Sequence, residues 1–63
     1  MQHMSLFASQ IERVSTADDC AFLQEHRESA ARFRESSVTS KSIEDADEYA
    51  WVVDDRMNQV GCP

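Results

Sequence analysis

His26, Cys20, Cys62 and the carboxylate pairs Glu44–Asp45, Asp47–Glu48 and Asp54–Asp55 are the residues of this chain with chemistry to offer. His26 shares a helical stripe with Phe22, Leu23, Ala30 and Phe33. An imidazole there acts as catalyst, ligand or pH switch only beside a positioned second group. No spacing pins such a group near it, so it reads as a core or rim histidine satisfied by a carboxylate. Adjacent carboxylates diverge by about 100° on a helix and cannot both ligate one ion. No glycine-containing loop gathers them either, so the pairs read as a solvated acidic face. Phosphate loops, nucleophile elbows and triad spacings are absent. The expectation is a non-enzyme with no catalytic residue, no metal and no cofactor.

Cys20 and Cys62 fit neither a multi-disulfide scaffold nor a zinc site, since no Cys-x-x-Cys or paired His spacing exists. The residues allow a Cys20–Cys62 bridge, but two reduced thiols in a cytoplasmic protein are the expected state. Trp51 stands off the apolar stripe of its helix, with Asp47, Asp54, Asp55 and Asn58 at neighbouring helical positions. An aromatic rimmed by acids has the makings of an interface anchor for a basic partner. The alternative is that Trp51 packs beneath the first helix or the serine-rich loop.

The elements that must position these residues are three helices. Ile43, Ala46, Ala50, Val53, Met57 and Val60 recur at steps of three and four, within about 100° of arc, which predicts a long amphipathic third helix over 43–60. Ser42, with Asp45 three residues on, marks its start, and Gly61 its stop. Ser5 caps a short first helix whose Phe7, Ile11 and Val14 share one face. Thr16 opens the second helix with Asp18 and Asp19 in its first turn, where negative charge meets the positive end of the dipole. The Ser-Ser-Val-Thr-Ser run at 36–40 is the main loop.

A chain of 63 residues makes one small all-α domain, 1–63, with a thin core. Such scaffolds lean on disulfides, metals or partner chains, so a homodimer or a partner surface is the default. The net charge of −6 is uneven: 1–35 carry four bases against six acids, and 36–63 two against six. Nucleic-acid backbones repel that pattern, so no direct nucleic-acid binding is expected. No apolar run is long enough for a membrane span or a signal segment. Met1 to His3 are either native or an added leader, with Met4 as an alternative start.

The order of features resembles the Hha/YmoA family, small helical proteins that associate with the nucleoid-structuring regulator H-NS and modulate gene silencing. The run Ile11-Glu12-Arg13-Val14-Ser15-Thr16-Ala17-Asp18 is similar to the end of that family's first helix and the opening of its second. Tyr49-Ala50-Trp51-Val52-Val53-Asp54-Asp55-Arg56-Met57 is similar to its later helix, with Val52-Val53 where the family has Ala-Ala and Asp55 where it has His. The resemblance implies that Asp54 faces a basic site on an H-NS-like partner, with Arg56 beside it. Together these readings point to a cytoplasmic protein-interaction module docking through Asp47, Trp51, Asp54, Asp55 and Arg56, in the manner of a co-regulator in transcription. The alternative is a phage- or plasmid-type acidic inhibitor, a DNA mimic that blocks a nucleic-acid-binding enzyme.

Overall fold

The computed structural model describes residues 5–63 and contains three helices: α1 (Ala8–Ser15), α2 (Cys20–Ser36) and α3 (Ser40–Val60). Met1 to Met4, and with them the question of the native start, lie outside the described residues. α3 is the central element, with α1 and α2 both packed against it. The assembly is thin, 32 × 27 × 14 Å.

Local signals explain most of the helix ends. Ser5 Oγ accepts from the Phe7 amide at 3.2 Å and turns the chain into α1, although the position flanking the helix is Phe7, which offers no side-chain cap. Thr16 closes α1 rather than opening α2. The cap of α2 is Asp19, whose Oδ1 accepts from the Ala21 amide at 2.9 Å. Ser42 is likewise not the cap of α3 but sits at its third position. It forms a reciprocal capping box with Thr39, whose Oγ1 accepts from the Ser42 amide at 3.1 Å while the Thr39 amide donates to Ser42 Oγ at 3.2 Å. A hydroxyl can serve in this third position as well as the usual Glu, so the helix starts earlier than the apolar period alone implies. Only Ser37, Val38 and Thr39 remain between α2 and α3. At the other end Gly61 takes φ 84°, a left-handed conformation suited to glycine, and its amide closes on the Met57 carbonyl at 3.0 Å.

The core is Phe7, Val14, Leu23, Ala30, Ala46, Tyr49, Val53 and Met57, with Ile11, Ala50 and Val60 half-buried against it. Phe33, expected inside, is 42% exposed at the rim. On α3 the buried residues are Asp45, Ala46, Tyr49, Val53 and Met57. That arc is rotated by about 40° from the predicted stripe, at 100° per residue. The rotation takes in Tyr49 and Asp45 and moves Ile43 to the flank.

α2 and α3 run antiparallel in a fixed register. Arg34 pairs with Asp47 at 2.7 Å and Arg27 with Asp54 at 3.2 Å, so a step of seven residues on one helix meets a step of seven on the other. The same register carries the end of α3 back to the start of α2. There Cys20 and Cys62 form a disulfide with Cα atoms 5.6 Å apart, which corrects the expectation of two reduced thiols. Pair spacing along the chain carried no sign of it, because the two cysteines meet only through the hairpin.

The bridge spans a sequence separation of 42 residues. Loop-closure entropy at that length amounts to about 4 kcal/mol. Reduction, or the Cys20→Ser, Cys62→Ser double substitution, should lower the unfolding free energy by roughly that amount. Denaturant melts with and without a dithiol reductant measure it, and coincident melts would mean that the bridge contributes little.

Candidate functional site

Two clusters gather the polar and aromatic residues: an interior seam around Tyr49 and an outer face around Trp51. The seam is a chain of rings. Phe33 and Phe7 lie 4.8 Å apart between centroids, Phe7 and Tyr49 5.1 Å, Tyr49 and His26 5.9 Å, and His26 and Phe22 4.5 Å. A hydrogen bond joins His26 Nδ1 to the Tyr49 hydroxyl. The partner of His26 is thus a phenol rather than the expected carboxylate. Nearby, Asp45, only 3% exposed, accepts from the Leu6 amide at 3.2 Å and stands 3.6 Å from Lys41 Nζ, fastening the chain ahead of α1 onto α3. Among the described residues no buried side-chain nitrogen or oxygen lacks a hydrogen-bond partner. With its polar atoms paired internally and its rings packed, the seam holds the helices together.

The outer face has the opposite character. Trp51 is 66% exposed, which removes the alternative that it packs under α1 or the serine loop. Its position is about 170° around α3 from the centre of the buried arc, so it points away from the core as directly as a helix allows. Asp47, Asp54 and Asp55 share its face, one turn before or after it. Asp47 and Asp54 are held by the α2 arginines described above. Asp55 Oδ2 accepts from Gln59 Nε2 at 2.8 Å. Arg56 does not join them. It lies about 140° round the helix, where its Nε donates to the Ala17 carbonyl at 2.6 Å and its Nη1 to Gln59 Oε1 at 3.1 Å. It acts as a strut between α3 and the α1–α2 joint.

No family model, curated protein or solved structure matches this chain. The functional reading therefore rests on the residues themselves. Among those described, no group of three His, Cys, Asp or Glu side chains converges as metal ligands, and no helix is long and apolar enough to cross a membrane. A shallow cleft of about 330 Å³ opens beside the disulfide, lined by Arg27, Asp54, Met57, Asn58, Cys62 and Pro63. Its two charged residues face each other as an ion pair.

The sequence reading missed Tyr49 and Asp45. Tyr49 was legible in principle, since it stands three residues after Ala46 and four before Val53, the spacing of a shared helix face. The equal seven-residue spacing of Arg27 and Arg34 and of Asp47 and Asp54 stands in the sequence, but which arginine meets which aspartate is set by the alignment of α2 and α3.

Burial raises the pKa of the Tyr49 hydroxyl above its ordinary 10.0. A raised folded-state value means that this group's stabilisation is fully present below pH 10.0 and is lost as pH climbs through the folded-state value. Tyr49 is the only tyrosine, so phenolate absorbance reports it alone. Its midpoint should lie above 10.0 and coincide with loss of helix; a midpoint at the ordinary value with the fold intact would contradict the burial. His26→Gln should cost on the order of 1 kcal/mol in denaturant melts, the usual scale for a disturbed core contact.

Proposed function

We propose that this protein is a non-enzymatic interaction module that docks on a basic protein surface through the outer face of α3, with Trp51 as anchor and Asp47, Asp54 and Asp55 around it. The carrying observation is a tryptophan 66% exposed opposite the core. Leaving so large an apolar ring in water forgoes burial that a small domain needs, and tryptophan is the residue most enriched at interface hot spots. Asp47 and Asp54 are paired with the α2 arginines, so the charge that favours a basic surface and steers association is that of the acids with no ion pair among the described residues, Asp55 foremost.

The resemblance to Hha/YmoA proteins would make the partner an H-NS-like oligomerisation region, and the chain a co-regulator in the cytoplasm. The Cys20–Cys62 bridge weighs against that compartment, because cytosolic thiols are held reduced while disulfides persist in oxidising surroundings. A basic protein surface met in an oxidising compartment fits the bridge and the acidic face together. The reading as a DNA mimic is the weaker one, because Arg27 and Arg34 neutralise two of the carboxylates that a phosphate mimic would present.

Trp51→Ala should cost about 2 kcal/mol of partner affinity, the threshold of a hot spot. Its effect on stability should stay within about 0.5 kcal/mol, as for a surface substitution. Affinity capture from the native host with both proteins, beside a thermal melt of each, tests this. A partner retained at full affinity by the Trp51→Ala protein would place the interface elsewhere, and collapse of the fold would return Trp51 to the core. The isolated protein should also show no appreciable duplex DNA binding by anisotropy at physiological salt. Micromolar binding with a steep salt dependence would overturn the reading.

A further inference from the structure

The face around Trp51 is not uniformly acidic in effect. On the side toward α2, Asp47 and Asp54 are already engaged by Arg34 and Arg27. On the side toward α1, Glu48 and Asp55 have no ion pair among the described residues. The Gln59 amide that Asp55 accepts from is neutral and leaves its charge uncompensated. Trp51 lies between the two sides, with Glu48 three residues before it and Asp55 four after, both within neighbour distance on a helix. Among the described residues no ring or cation covers the indole.

Resting on the docking reading above, we infer that this half-face recognises an arginine side chain of the partner protein, its guanidinium stacked on the Trp51 indole and hydrogen-bonded to the Glu48 and Asp55 carboxylates. Three properties select arginine over lysine. The guanidinium is planar and stacks on an aromatic face, its donors form a fork that matches carboxylates, and it is more weakly hydrated than an ammonium and so is stripped of water at lower cost. On the α2 side the same helix already pairs two carboxylates with guanidinium groups from a neighbouring helix. The incoming arginine repeats that arrangement on the side that α2 does not reach. A second copy of this chain, itself carrying −6, is the poorer occupant, because the two acidic faces repel.

Trp51 is the only tryptophan, so the fluorescence of the intact, disulfide-bonded protein reads the site directly. The probe is a short alanine-based helical peptide with arginines along one face, compared with the same peptide carrying lysine. The arginine peptide should shift Trp51 emission saturably and bind about fivefold more tightly than the lysine peptide, the scale of one good exposed ion pair, which the planar guanidinium fork makes with the two carboxylates and the ammonium does not. Glu48→Gln with Asp55→Asn should remove that preference, while Asp18→Asn with Glu25→Gln, which deletes the same charge off the face, should keep it. A denaturant melt of each variant confirms that it is folded. Equal affinity for the two peptides would overturn the arginine reading while leaving a charge-driven docking face intact. Equal loss in both double variants, or no arginine-dependent change in emission at low salt, would overturn it as well. Failure of the docking reading itself has a different signature, a natural partner held undiminished by the Trp51→Ala protein.

Discussion

Everything in this fold meets at Tyr49. Tyr49 is 1% exposed, stacks on Phe7 ahead of α1 and bonds His26 on α2 through its hydroxyl, so one α3 side chain touches both α2 and the segment that leads into α1. In a domain 14 Å thick few positions are shielded from water on every side, and half of the core residues are small: Val14, Ala30, Ala46 and Val53. A large aromatic with one polar end suits such a site. It supplies apolar area to the interior, and its hydroxyl meets a nitrogen that would otherwise be half-buried and unpaired. The cost of ionising it inside the fold follows from the same burial.

Around that centre the chain is fastened at its edges rather than filled in the middle. Asp45 holds the Leu6 amide, Arg56 holds the Ala17 carbonyl, and Cys20–Cys62 closes the open end of the α2–α3 hairpin. Each tie joins segments that helix propensity alone would leave independent. The α1 segment, eight residues long, is too short to persist by itself and depends on Phe7, Val14 and these contacts for its place. A small scaffold with little apolar area to bury has this recourse, and the disulfide is its strongest form because it acts on the unfolded chain as well as the folded one.

The three helices and the Gly61 stop were legible because they rest on local periodicity and backbone chemistry. The helix starts were displaced because hydroxyl and carboxyl caps compete over a few residues, and Thr16, Asp19, Thr39 and Ser42 were all candidates. The burial of Tyr49 and Asp45 was not read, because a stripe drawn through aliphatic residues alone is rotated away from a face completed by a tyrosine and a carboxylate. The bridge and the seven-residue ion-pair register depend on how α2 and α3 align, a tertiary fact that emerges once the three-residue connection forces the helices antiparallel. The exposure of Trp51 sat between the two kinds of information. Its angle from the stripe was readable, but whether α1 covered it required the fold.

That alignment also decides what the outer surface presents. Ion pairs half-exposed to solvent, as Arg27–Asp54 and Arg34–Asp47 are, contribute between nothing and about 1 kcal/mol each to stability. Their larger consequence is electrostatic. By cancelling Asp47 and Asp54, they leave the uncompensated acids of α3 on one side of Trp51, next to α1, and give the exposed indole a polarity that a helical wheel does not reveal. A surface of that kind distinguishes the orientation of an approaching cation as well as its presence, because attraction is directed to one edge of the ring. The register that carries Cys62 to Cys20 therefore also sets which flank of the tryptophan is charged.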